Sequence, residues 1–207
     1  MKGGGVAFPL NLFARTHELT TEHKTEAILL QQVGEGNQDA FRAFYAGYQR
    51  RLFGYFVKII QDERRAEELV NDVLFVVWKD ARKYDATRAG PSTWVFAIAH
   101  HKAIDELRRH KPKVVEEDTV AQLADPSPGV EEDLEKADLS RMLKQALEHL
   151  STEHREVVEL TYDQEFSIAQ IAEVLGIPEG TVKTRMFHAR KRLKTLMQAL
   201  KEGRPIT

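Results

Sequence analysis

Apolar side chains recur at spacings of three and four along most of this chain. Phe41, Phe44, Tyr45, Tyr48, Leu52, Phe56 and Ile59 follow that spacing, and Ala66, Leu69, Val70, Val73 and Val77 repeat it. A period of this kind predicts amphipathic helices, here from Thr25 to His110. Pro91, in Gly90-Pro91-Ser92-Thr93, predicts a break and a restart, with the next helix from about Ser92 to Arg109. Between Lys111 and Asp138 the period lapses. Glu116, Glu117, Asp118, Asp125, Glu131, Glu132, Asp133, Glu135 and Asp138 there face only Lys111, Lys113 and Lys136, with Pro112, Pro126 and Pro128 interspersed. That composition reads as a flexible linker, whose central 20 or so residues reach at most about 70 Å when extended. Helical periodicity returns at about Asp133 and runs to Leu200. Residues 1–24 hold three consecutive glycines and Pro9 without a lasting period, and read as a mobile tail. The fold expected is all-α: a tail 1–24, a helical domain 25–111, an acidic linker 112–132, a second helical domain 133–200 and a short tail 201–207.

Ser167-Ile168-Ala169-Gln170-Ile171-Ala172-Glu173-Val174-Leu175 has a serine cap, an apolar stripe and a stop at Gly176, the residue best suited to a left-handed turn. A new helix starts after Ile177-Pro178. Two short helices with glycine at the turn are the sequence form of a helix-turn-helix. On a helical wheel, Val182, Met186, Ala189, Leu193, Leu196 and Met197 share one arc, the core side. Thr184, Phe187, His188 and Lys191 lie opposite, with Lys183, Arg185, Arg190, Arg192 and Lys194 on the flanks. Small polar, aromatic and hydrogen-bonding groups at a groove floor with cations at the rims suit a DNA-reading helix. The alternative is a solvated basic face on an ordinary amphipathic helix.

The helix of about Ser92 to Arg109 places Phe96, Ala99, Ala103 and Leu107 inward. His101, Lys102, Asp105, Arg108 and Arg109 share an outer arc with Trp94 and Ile98. An aromatic ring beside cations is a platform for single-stranded bases, worth about 1–3 kcal/mol per stacked base; a place in the core is the other reading of Trp94. In the preceding helix, Glu68, Asn71, Asp72 and Phe75 face outward with Lys79. A phenylalanine in an exposed acidic stripe suits a protein-docking surface, and the alternative is a solvated face with one stray aromatic.

Thirty basic against 32 acidic side chains give a net charge of −2, so any case for nucleic acid rests on where the charges sit. The stretch from Pro178 to Lys194 is locally basic: Lys183, Arg185, Arg190, Lys191, Arg192 and Lys194 stand against Glu179 alone. With no cysteine, thiol chemistry and disulfides are excluded. No run approaches the roughly 18 apolar residues of a membrane span, and a cytoplasmic protein is expected. His100 and His101 diverge by about 100° on a helix and make no chelating pair. No catalytic constellation is visible, so the expectation is a non-enzyme with no cofactor and no metal.

Two stretches together resemble a known family. Glu67-Glu68-Leu69-Val70-Asn71-Asp72-Val73-Leu74-Phe75-Val76-Val77-Trp78, followed by Thr93-Trp94-Val95-Phe96-Ala97-Ile98-Ala99, resembles region 2 of the bacterial sigma-70 family. Leu150-Ser151-Thr152-Glu153-His154-Arg155-Glu156-Val157, with the helix-turn-helix ending Gly180-Thr181-Val182-Lys183-Thr184-Arg185-Met186-Phe187-His188-Ala189-Arg190, resembles region 4. With a short linker between them, residues 25–198 are similar to an extracytoplasmic function (ECF) sigma factor. The resemblance implies that Glu68, Asn71, Asp72 and Phe75 dock on the β′ clamp helices of core RNA polymerase. Trp94, His101, Lys102, Asp105, Arg108 and Arg109 would serve the −10 promoter element and its melting, together with the loop Tyr84 to Ser92. Lys183, Thr184, Arg185, Phe187, His188, Arg190 and Lys191 would serve the −35 element. It further implies contact with the β flap, an acidic linker threading toward the polymerase cleft, and an anti-sigma partner. Asn71 and Asp72 stand where the family commonly has Gln and Glu, and His188 where arginine is frequent. Two other classes compete: a stand-alone transcriptional regulator that reads DNA with residues 133–200, and an enzyme with a nucleic-acid-binding tail.

Overall fold

A computed structural model describes the backbone of residues 16–110, 131–202 and 204, and the side chains of residues 25–109, 138–202 and 204. Among the described residues eight α-helices follow one another: α1 (Thr16–Gly34), α2 (Gln38–Ile60), α3 (Glu63–Asp80), α4 (Pro91–His110), α5 (Glu131–Glu148), α6 (Thr152–Tyr162), α7 (Ile168–Leu175) and α8 (Glu179–Lys201). A 3-10 turn, Ala81–Lys83, links α3 to the loop before α4. Helix α1 begins at Thr16, inside the stretch expected to be tail; residues 112–130 of the acidic linker lie outside the described residues, and its last two, 131 and 132, stand at the start of α5.

Helix starts are set locally. The Asn37 side chain accepts from the backbone N–H of Asp39 at 3.0 Å and of Ala40 at 3.1 Å, and Asp62 accepts from Arg65 N–H at 3.0 Å. Ser167 and Gln170 form a reciprocal capping box at the head of α7. Each such cap stabilises its helix by about 1 kcal/mol. Gly176 ends α7 at φ 62°, in the left-handed region that glycine enters without a Cβ clash.

The N-terminal core is aromatic. Phe44, Tyr48, Leu52, Tyr55, Phe56 and Ile59 of α2 are buried against Leu69, Val73, Leu74 and Val77 of α3 and Val95, Phe96, Ala99 and Ala103 of α4. Helices α3 and α4 are also pinned by charge, because Arg65 donates to both oxygens of Glu106, at 2.6 and 2.7 Å. Glu106 is 1% exposed, so the fork supplies hydrogen bonds to an acidic side chain taken out of water.

The sequence predicts two modules set apart by a linker; the structure packs them together, α6 on α2 and α7 on α4. The contact is partly apolar, with Phe96 meeting Phe166 edge-on at 5.3 Å between ring centroids. It is polar as well. Tyr55 donates to Glu156, whose same oxygen lies 2.7 Å from Nδ1 of His100. Arg51 donates to Gln164 at 3.2 Å, and Lys58 donates to Glu159 at 2.6 Å and to Asp163.

Burial, assisted by the neighbouring Asp163, pushes the Glu159 carboxyl up to about 8 in spite of Lys58. Asp163 moves the other way, held low first by the hydrogen bond from Glu159 and then by Lys58. The trio is therefore a proton on Glu159, a carboxylate on Asp163 and an ammonium on Lys58. Unfolded, Glu159 releases its proton near 4.5; folded, near 8. The folded chain thus holds an extra proton between those values, and the associated stability, complete below 4.5, is lost as pH rises to 8. Thermal unfolding is expected at a lower temperature at about pH 9 than at about pH 6, and Glu159→Gln, which cannot ionise, should flatten the difference. An equal pH dependence in the two proteins would show that Glu159 does not carry it.

Candidate functional site

Three exposed faces gather the residues singled out from the sequence. On the outer side of α3, Glu68, Asn71, Asp72 and Phe75 are all exposed, Phe75 to 66% of its surface. Their spacing of three and four puts them on one face, opposite Ala66, Leu69, Val70, Val73 and Val77. Neighbours orient them. Arg64 and Arg65 pair with Glu68, and Tyr45 of α2 donates to Asn71 at 3.1 Å.

The second face is an open depression of about 330 Å³ between α3 and α4, lined by Val76, Trp94, Ala97, Ile98, His101, Lys102 and Asp105. Its position follows from the two helix wheels, since the outer edge of α3 and the basic arc of α4 meet there. Trp94 is half-buried, packed at 5.5 Å on Tyr84 of the preceding loop, with one side turned to the depression. The ring packs against the core on one side and forms a wall of the depression on the other. His101, Asp105, Arg108 and Arg109 are exposed. Lys102 reaches back to Asp72 at 3.2 Å and so ties this face to the first.

The third face is α8. Val182, Met186, Ala189 and Leu196 are buried with Leu193 and Met197 packed beside them, as the wheel predicts. Lys183, Thr184, Phe187, His188, Arg190 and Lys191 are exposed and Arg185 is half-buried. Phe187 presents 64% of its surface. Arg190 donates to the Tyr162 hydroxyl at 3.0 Å and lies over that ring, which fixes its direction. An aromatic and a cation exposed on a helix otherwise anchored by apolar residues make a surface able to enter a groove and meet phosphates.

Sequence reasoning did not join Tyr45, Tyr84 and Tyr162 to the residues they fix, Asn71, Trp94 and Arg190. It also missed Glu156 and Glu159, 2% and 3% exposed. Acidic residues on the inward side of α6, where the period calls for apolar ones, were the available signal. Among the described residues no group of three or more His, Asp or Glu is arranged to hold a metal ion, and no helix is long and apolar enough to cross a membrane.

A bundle with an acidic face and an aromatic-basic depression, joined to a helix-turn-helix, defines the sigma-70 class of transcription proteins. The model of sigma-70 region 2 matches residues 44–113 and that of region 4 matches residues 140–193. ECF RNA polymerase sigma factor SigL of Mycobacterium tuberculosis is 32% identical over 159 residues, 77% of this chain and 89% of that one. SigK of Mycolicibacterium vanbaalenii is 30% identical over 160 residues, 76% of this chain and 82% of its own. The structure of CnrH in complex with the cytosolic domain of CnrY superposes with a TM-score of 0.61 at 26% identity, covering 84% of this chain and 98% of that one. The fold is shared also by RpoE of Bartonella quintana, solved with the anti-sigma factor NepR, at a TM-score of 0.60, 24% identity and coverage of 76% and 96%. The chain belongs to the ECF sigma factors of RNA polymerase, a family of non-catalytic subunits.

Proposed function

We propose that this sigma factor binds core polymerase through the α3 face, directs it to promoters with −10 and −35 elements, and helps to melt the DNA. Glu68, Asn71, Asp72 and Phe75 dock on the β′ clamp helices, and residues 133–200 meet the β flap. Trp94, His101, Lys102, Asp105, Arg108 and Arg109 hold the opened −10 strand. Lys183, Thr184, Phe187, His188 and Lys191 read the −35 element in the major groove, with Arg185 and Arg190 near phosphates. The observation that carries this reading is the simultaneous exposure of all three faces, although regions 2 and 4 are packed together. An anti-sigma partner is part of the proposal, supported by family membership.

Run-off transcription tests it: purified protein with sigma-free core polymerase on a library of genomic upstream fragments. Discrete transcripts sharing two spaced elements are expected. With active core, no transcripts and no co-purification with core would overturn the sigma reading in favour of a stand-alone regulator. Trp94→Ala should impair melting more than closed-complex formation, because a stacked base loses about 1–3 kcal/mol when its platform goes. Equal permanganate reactivity of promoter thymines in variant and parent would contradict that role.

A further inference from the structure

Helix α8 carries a histidine at a base-reading position, and the fold brings it a second. The His188 ring lies 6.3 Å from the His154 ring, centroid to centroid, with the planes tilted by 32°. His154 is in the first turn of α6 and half-buried; His188 is exposed beside Phe187, whose ring is 5.4 Å away. Their proximity is a tertiary event, made by the packing of α6 on α8.

The charges around the pair are mixed. Helix α6 brings Glu153, whose carboxyl is held low first by its own backbone N–H, against burial, and then by the Ser151 hydroxyl, Arg185 and His154. It also brings Arg155, buried, which interacts with Glu148 of α5. Helix α7 carries Glu173, and α8 itself carries Arg185, Lys191 and Arg192.

Imidazole is the side chain whose charge changes near neutral pH. Duplex DNA brings one negative charge per roughly 1.7 Å of its axis, and entry of the helix into the groove sets that charge beside the rings, where it favours the imidazolium form. From this geometry, and resting on the −35 reading above, we propose that His154 and His188 form a proton-linked pair on the promoter-reading surface, and that binding of the −35 element takes up protons. Affinity then rises as pH falls, because the bound state holds more protons than the free one. An arginine at position 188 stays charged at every working pH and has no such dependence.

The experiment is fluorescence anisotropy of the full-length chain on a labelled duplex, the upstream fragment giving the strongest run-off transcript. It is run in EDTA and at constant ionic strength. For net uptake of one proton, the dissociation constant should fall about tenfold per pH unit between about pH 7.5 and about pH 6.5. His188→Gln and His154→Gln should each reduce that slope, the double variant should abolish it, and His188→Arg should bind with a weaker pH dependence than the parent. Circular dichroism at both pH values separates loss of binding from loss of folding. A double variant that is folded, binds the duplex and keeps the parental slope overturns the pair while leaving the −35 reading intact. Substitutions at Lys183, Phe187 and His188 that leave recognition of −35 base changes unaltered overturn the −35 reading, and the pair with it.

Discussion

Replacing Asp72 and Phe75 together by alanine should weaken binding of core RNA polymerase by about 100-fold, corresponding to roughly 3 kcal/mol. Phe75 is 66% exposed in the free chain, so burying its ring against a partner is gained only in the complex. Interface energy concentrates in such aromatic anchors, and truncating one typically removes 2 kcal/mol or about that much. Asp72 adds a charge at the same site, and its contact with Lys102 at 3.2 Å is a half-exposed pair that costs little to break. Folding should therefore be unaffected, and the melting temperature of the double variant should match the parent. The measurement is competition against a second sigma factor for limiting core. Equal affinity of variant and parent would remove α3 from the polymerase contact.

The largest expected effect on stability is at Phe96. Its side chain is 0% exposed and meets Tyr55 at 5.5 Å, Phe166 at 5.3 Å and the Arg51 guanidinium at 5.4 Å from the ring centroid. It is thus part of the N-terminal core and of the seam between regions 2 and 4. Phe96→Ala loses the transfer free energy of the ring and leaves a cavity, together about 3–5 kcal/mol. In a chain of this size that lowers the melting temperature by roughly 10 °C. Phe166→Ala, on the opposite side of the seam, should cost less because the α2–α4 core stays filled. A small-angle scattering radius that increases in both variants would mark release of region 4 from region 2. If Phe96→Ala melts with the parent, the ring does not hold this seam.

Much of the fold was legible because its determinants are local. The period of three and four placed α2, α3, α4 and α8, while Asn37, Asp62 and Ser167 mark helix starts by satisfying backbone N–H groups within a few residues of themselves. Gly176 marks the turn by its own conformational freedom. The wheel separated Val182, Met186 and Ala189 from Phe187 and His188 because side-chain direction along a helix is fixed by residue number. Local signals are weak at α1, which begins at Thr16 in a stretch without a lasting apolar period.

What lies opposite each helix face was decided by tertiary structure. Glu156 and Glu159 are acidic, and an isolated carboxylate is strongly disfavoured in a low-dielectric interior. They are buried because α2 and α4 bring Tyr55, Lys58 and His100 to them from elsewhere in the chain. In the same way Asp72 meets Lys102, Arg190 meets Tyr162 and His154 meets His188 only once their helices pack. The sequence by itself determined which elements form and which faces they expose, since these depend on residues within a turn or two. The closure of region 4 on region 2, and the polar pairs within it, were decided by tertiary structure, because burying a carboxyl group depends on a partner that local spacing does not specify.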